Sequence, residues 1–411
     1  MSGAATHSSW SANLHLLRQR DFAILWAAQT FSGFGDNIFR VAQVALLLKL
    51  GGSAAALSAL LLVSVVPGLL LALLGGALAD RVDRRRLLIA ANIVRGILMA
   101  VVAGLVMTGA AQLAHLYILA LLYGGISAFT NPAFDALLPG IVKREQLQNA
   151  NAMFLLGDNV AAIAGPALGG LLLTVSGVAG AAVLNAVSFF VLVVGLLYLH
   201  PAPLHRDDQG RSSLFRDIGK GLQYARSNGT LLGFLTLFAA INISGATLAV
   251  SLPLYVTEQL DLSPGMYGVF LTTMNIGILL GITIIGAVRV RHRGRLITGS
   301  IFAMGAFGYL LLGASRELWI GLLAVAIIDG LSMVPNILYP AWVQASVPDE
   351  YRGRVFGLTG VVSYSLVPVG FVLAGAATTT FGPAGAIMAA GVLLVAVALG
   401  SLLVPALRQL D

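Results

Sequence analysis

Apolar runs of about 20 residues or more follow one another along the whole chain, separated by short polar loops. Residues 54–79 contain no charged side chain, and neither do residues 178–199. A helix rising about 1.5 Å per residue needs roughly 20 residues to cross about 30 Å of hydrocarbon. Within a bilayer every backbone N–H and C=O must be satisfied internally, so only helices and closed barrels can span it. Barrel strands are about 10 residues long and alternate in polarity, so unbroken runs of twice that length select helices. Composition agrees: 58% of the 411 residues are hydrophobic, 10% are charged, and the mean hydropathy is +0.91. A soluble fold with this make-up would expose far more apolar surface than water tolerates. The fold class expected is an all-α polytopic membrane protein.

Twelve spans are predicted, at 22–49, 54–79, 87–110, 112–138, 146–175, 178–199, 230–257, 264–288, 296–313, 316–346, 350–379 and 382–407. Residues 1–21 lack the apolar core of a signal peptide, and Leu16, Leu17 and Phe22 are placed to form a short interfacial helix. The longest polar stretch, 200–229, divides the chain into bundles of six helices at 22–199 and 230–411. Within that linker, residues 213–226 set apolar positions against charged ones at helical spacing, as in a helix lying on the inner membrane face. There is no cysteine, which rules out disulfides and thiolate chemistry. The six histidines (7, 15, 115, 200, 205 and 292) form no spaced ligand cluster, so neither metal nor cofactor is expected.

Orientation follows from the basic residues. With the N-terminus inside, twenty Lys and Arg fall in cytoplasmic segments and only Lys49 and Arg316 on the opposite side, with Arg40 and Arg95 inside spans. That asymmetry places both termini in the cytoplasm. It also accounts for the net charge of +7 without a nucleic-acid partner. A multi-pass protein of a bacterial-type cytoplasmic (inner) membrane, in contact with lipid and monomeric, is the expectation.

The densest cytoplasmic loop follows the second span: Gly76-Ala77-Leu78-Ala79-Asp80-Arg81-Val82-Asp83-Arg84-Arg85-Arg86. The two halves echo one another. Asn131-Pro132-Ala133-Phe134 before Leu138-Pro139 is matched by Tyr339-Pro340-Ala341-Trp342 before Val347-Pro348, at the cytoplasmic ends of the fourth and tenth spans. Residues 286–295 occupy the place of the first loop, with Val290 where Asp80 would stand. A duplicated six-plus-six pattern is typical of transporters.

On these residues the chain resembles the major facilitator superfamily along essentially its whole length. The first loop matches that superfamily's signature G-x-L-a-D-R-x-G-R-[RK], with Asp83 in place of the usual glycine. Asp83, Asn131-Pro132-Ala133, Asn149-Ala150-Asn151, Asn185 with Phe189, and Gly353-Arg354-Val355 with Gly357 are similar to the subgroup of enterobactin exporters and macrolide efflux proteins. The resemblance implies two pseudo-symmetric six-helix bundles. It also implies a cytoplasmic gate built from Gly76, Asp80, Arg81, Arg84 and Arg85. Asp135 would close a charge relay with this loop, or else be a solvated helix end. Asp80 is expected to dock at the start of the eleventh helix, around Arg352-Gly353. In the fifth span, Gly165, Pro166, Gly169 and Gly170 resemble the G-x-x-x-G-P-x-x-G-G motif of drug antiporters, with Ala161 at its first glycine; the competing reading is a helix-packing face. The arginine that proton antiporters often carry in the fourth span has no counterpart at Ala120 or Leu121.

Charges within spans are costly unless paired or wetted. Asp36 and Arg40 sit one turn apart and either neutralise each other or leave Asp36 as a binding carboxylate. Asp158 either faces the cavity or pairs with Arg95. Asp329 has no arginine at helical spacing and reads as an unpaired carboxylate or a hydrogen-bonded packing residue. Asn242, Asn275 and Asn336 are cavity hydrogen-bonders or interhelical glue, and Tyr255 and Tyr267 are placed in an aromatic belt. The activity implied by the resemblance is export of an amphiphilic small molecule (drug, macrolide or siderophore) by alternating access. Proton coupling, if present, falls to Asp36, Asp158 or Asp329. A lysophospholipid transporter is the nearest alternative, since Gly35-Asp36-Asn37 also resembles that group. A membrane-embedded enzyme or a signalling scaffold would need a catalytic cluster or a soluble domain that the sequence does not offer.

Overall fold

The computed structural model of the chain describes residues 15–79, 82–201, 229–288, 290 and 292–402. Among these residues there are helices and no strands. In chain order they are α1 (Arg20–Lys49), α2 (Ala54–Ala79), α3 (Arg84–Met107), α4 (Leu113–Leu137), α5 (Leu147–Val175) and α6 (Gly177–Tyr198). After the linker come α7 (Gly229–Leu254), ending in a π-helical turn at Tyr255–Gln259, and α8 (Met266–Ala287). Helix α9 (Arg293–Ala303) continues through a second π-helical turn, Met304–Tyr309, into Leu310–Ala314. The last two are α10 (Leu318–Ser346) and α11 (Asp349–Ser401).

Ten segments among the described residues are long and apolar enough to cross a bilayer. Helix α1 is also long enough, at 30 residues, but carries Asp36 and Arg40 midway. Helix α11 has 53 residues, about 80 Å if straight, which exceeds two bilayer cores. It breaks at Gly382, whose φ of +71° only glycine adopts without strain, and Pro383 restarts the helix from the position that loses no backbone bond. The count is consistent with the expected twelve crossings. Boundaries agree to a few residues. Helix α3 starts three residues earlier than predicted because the Asp83 carboxylate accepts the Arg86 backbone N–H (2.9 Å) and caps it.

The chain forms two compact units. Among the described residues, unit 1 holds 15–52, 63–201 and 264–272, and unit 2 holds 53–62, 229–263 and 273–402. The core of unit 1 at the arginine-rich end includes Phe22, Leu25, Leu88, Leu137, Met153, Phe154 and Leu196. Phe154 meets Phe22 and Phe134 edge to face, with ring centres 5.6 and 5.0 Å away. Leu16 is 1% exposed within this core, so residues 15–17, a helical turn before α1, pack against protein through Leu16. In unit 2, Phe234 packs on Tyr339 and Trp342 at 5.0 and 5.1 Å, and the Tyr339 hydroxyl shares a hydrogen bond with Thr359 (2.5 Å). In the same unit the Ser58 hydroxyl donates to the Phe371 carbonyl (2.6 Å).

The glycines of the α5 motif are contact points within unit 1. A Cβ on Gly165 would stand 2.6 Å from the Asn37 Cβ, and one on Gly169 would stand 2.8 Å from the Ile38 carbonyl oxygen, so α5 and α1 approach closely here, backbone to backbone at Gly169. Pro166 brings no N–H to the helix ladder. One residue later the ladder opens further: Ala167 N–H donates to the Thr272 hydroxyl (3.1 Å), which itself donates to the Ile163 carbonyl (2.6 Å). The amphipathic helix expected at 213–226 lies outside the described residues, as do Asp80 and Arg81.

Candidate functional site

Asp36 sits midway along α1, and the residue before it sets its position. A side chain at Gly35 would collide with Ser188 and Asn185, so α1 and α6 approach closely there. Two neutral donors converge on Asp36 Oδ1: the Tyr123 hydroxyl of α4 and, at 3.4 Å, the Asn185 amide of α6. Arg40 makes no ion pair with Asp36. Its side chain is exposed and borders, with Asp36, Gln43, Ser64, Tyr123 and Asn185, a cavity of about 300 Å³. Of the two expectations for this pair, self-neutralisation is not what forms: α4 and α6 supply the partners, and Arg40 reaches into open space.

Arg95 of α3 is fixed beside this group by several contacts. Its guanidinium lies over the Tyr123 ring (4.7 Å) and the Phe189 ring (5.9 Å) and donates to the hydroxyls of Ser127 (2.9 Å) and Thr130 (3.1 Å). Its Nε is buried and unpartnered. Arg95 thus clamps the tyrosine that holds Asp36, and its charge and that of Arg40 both act on the carboxylate. Arg95 forms no ion pair with Asp158. Both border a second cavity of about 360 Å³, which Asp36, Asn92, Asp135 and Asn151 also line, so Asp158 faces the cavity.

Three consecutive residues at the start of α3 each cap the end of a different helix. Asp83 caps the start of α3. Arg84 donates to the Ala136 carbonyl (3.2 Å) in the last turn of α4. Arg85 donates to the Leu196 and Leu197 carbonyls (2.6 and 2.5 Å) in the last turn of α6. Cations at helix C-termini satisfy orphan carbonyls and the negative end of the dipole. Arg84 therefore meets the backbone beside Asp135 and makes no ion pair with its carboxylate, which is exposed. Gly76 lies in α2. Arg352 is engaged at the start of α11, paired with Asp349 (2.5 Å) and donating to the Val347 carbonyl (2.9 Å).

In unit 2, Asp329 of α10 lines a separate cavity of about 360 Å³ with Asn242, Tyr309, Ser332 and Asn336. Its Oδ2 is buried and has no hydrogen-bond partner. Asn242 and Asn336 each donate to the carbonyl four residues back, at 2.8 Å, while bordering this cavity. Tyr255 and Tyr267 are not belt residues. Both are buried in protein, at 0% and 7% exposure, and the Tyr255 hydroxyl donates to the Ser315 carbonyl (2.9 Å).

Sequence reasoning missed Tyr123 as a site residue and gave Asn185 no role. A tyrosine ten residues into α4 is too deep for an interfacial belt, and that depth was the available signal.

Residues 11–411 match the family described as transmembrane secretion effector. The multidrug efflux pump Tap of Mycolicibacterium fortuitum is 27% identical over 400 residues, covering 94% of this chain and 96% of Tap. The enterobactin exporter EntS of Escherichia coli O81 (strain ED1a) is 25% identical over 325 residues, covering 78% of this chain and 76% of EntS. Among solved structures, the nucleoside transporter NupG superposes with a TM-score of 0.72 at 14% identity, covering 93% of this chain and 98% of NupG. A bacterial homologue of the iron transporter ferroportin superposes with a TM-score of 0.67 at 17% identity, covering 93% and 98%. These structures share the fold.

Proposed function

Because the chain belongs to the transmembrane secretion effector family of the major facilitator superfamily, we propose that it exports an amphiphilic small molecule from the cytoplasm in exchange for protons. The named relatives, a multidrug efflux pump and a siderophore exporter, support the direction and the substrate class. The observation that carries the coupling is the state of Asp36. It is a mid-membrane carboxylate that Arg40 leaves unpaired, held by neutral donors from two other helices and bordering a cavity. Such a group can bind and release a proton without first breaking an ion pair. Its proton affinity would differ between two facing states if Tyr123 and Asn185 shift with their helices, and that difference is what coupling requires. The mechanism is alternating access by the bundles 22–199 and 230–411, with Asp329 as a second polar anchor and the loop from Gly76 to Arg85, with Asp135, at the cytoplasmic gate.

The test compares efflux of a macrolide, a catecholate siderophore, a cationic dye and a lysolipid from cells carrying the intact chain or Asp36→Asn, with and without a proton gradient. Export of one of the first three that fails on collapse of the gradient and in Asp36→Asn is expected. Export that survives gradient collapse removes proton exchange, and movement of the lysolipid alone replaces the substrate class.

A further inference from the structure

We propose that protons leave Asp36 for the cytoplasm through a polar passage inside unit 1 that opens at the arginine-rich end and is relayed by Asp158. The exported molecule would not share this route. This rests on the reading of Asp36 as the coupling carboxylate and adds the path by which it is served.

The starting observation is that Asp36 is the one residue bordering both unit 1 cavities described above. One cavity extends along α1 towards Gln43 and the other towards Gln29. Each is seven residues from Asp36, about 10 Å along the helix. The first mixes apolar residues such as Phe39, Met99 and Leu119 with Arg40, Gln43 and Ser127, and holds no carboxylate other than Asp36. The second is lined by Asn92, Arg95, Asn131, Asp135, Asn151 and Asp158. Two of its polar atoms, Arg95 Nε and Asn92 Oδ1, are buried without partners in the protein. Such atoms call for water, and about 360 Å³ accommodates several molecules at roughly 30 Å³ each.

Depth places Asp158 as the first station. Helices α1 and α5 run in register, Gly165 against Asn37 and Gly157 against Thr30. Asp158 is therefore level with about residue 31 of α1, roughly 8 Å from Asp36 towards the arginine-rich end. That gap exceeds a hydrogen bond, so water must bridge it. In the transfer the Asp36 O–H bond breaks, water carries the proton, and an O–H bond forms on the Asp158 carboxylate. Release towards Asp135 and the cytoplasmic surface regenerates that carboxylate, and no electrons change hands. The charged and titratable groups facing Asp36 are Arg40 on α1, Arg95 on α3, Tyr123 and the more distant Asp135 on α4, and Asp158 on α5; α2 and α6 present the neutral Ser64 and Asn185. Arg95 lines the second cavity with Asp36, and its fixed charge repels a free cation there, so the proton is handed on from the carboxylate of Asp36.

The experiment uses the full-length protein in lipid nanodiscs with no transported molecule added. A pH step is applied, and infrared difference spectroscopy follows the protonated-carboxyl band that Asp36→Asn removes. In Asp158→Asn the exchange rate is expected to fall about a hundredfold, the lower end of what a positioned proton-transfer group contributes. The amplitude of the band should stay, and Asp158→Glu should restore the rate. Should Asp158→Asn fail to fold, Asn92→Leu, which dries the same cavity, must slow exchange in its place. An unchanged rate in the folded variant overturns the route. Because no substrate is present, failure of the efflux assay leaves this result standing. Gradient-driven efflux with normal exchange in Asp158→Asn overturns the route alone.

Discussion

Asp83 shows how a departure from a family pattern can be a structural substitution with its own chemistry. Where the signature has glycine, the carboxylate caps α3 by accepting the Arg86 N–H. Asp83→Ala should therefore lower stability by about 1 kcal/mol, whereas Asp83→Gly should cost only a few tenths. Thermal unfolding in detergent, followed by helical circular dichroism, separates the two. Tyr123 is the residue on which Asp36 depends most directly. Tyr123→Phe keeps the ring under Arg95 but removes the hydroxyl. Gradient-driven efflux in that variant should drop about tenfold, the scale of one hydrogen bond to a charged group, with the melting temperature little changed. A matching loss of melting temperature would mean that the hydroxyl serves the fold rather than the site.

At the level of elements, the repeated Pro-Ala-aromatic segment explains why the two halves echo. Phe134 and Trp342 hold corresponding places, and each joins an aromatic cluster with the first helix of its half, through Phe154 to Phe22 in one and directly to Phe234 in the other. Helix α5 illustrates a second device. Pro166 weakens the ladder, and the Thr272 hydroxyl bridges the opened rung between Ile163 and Ala167. Thr272→Val retains the shape but leaves a donor and an acceptor unmet, so it should destabilise by about 1–3 kcal/mol. Thr272→Ser should behave as the parent in the same unfolding assay. The motif glycines were legible as close-contact positions in the sequence. The threonine was not, because its partner helix lies 105 residues away.

At the scale of the whole molecule, the strongest expectation is orientation. The chain has no native cysteine, so single cysteines report topology on an otherwise unchanged background. Glu145→Cys, in the loop between α4 and α5, should react with a membrane-impermeant maleimide only after the inner face is exposed. Gln112→Cys, between α3 and α4, should react from outside. Reversed labelling would overturn the positive-inside assignment.

Much of this architecture was legible along the chain. The membrane as solvent, the helical state and the element boundaries depend on hydropathy and turn residues read locally, and these act over one span at a time. Individual charges were legible as anomalies, since any carboxylate inside a span demands an explanation. Their partners were not. Arg40 is four residues from Asp36 and was the obvious mate, yet Asp36 is held by Tyr123, 87 residues away, and Asn185, 149 residues away. Asp135 beside the arginine loop was the obvious mate for Arg84, yet the guanidinium caps the end of α4. Which side chains meet depends on the rotation and depth of each helix against its neighbours, and a shift of one residue turns a helix by about 100°. Local sequence determines that a helix crosses the membrane, and only packing between helices decides which of its faces looks inward, and so which charges meet.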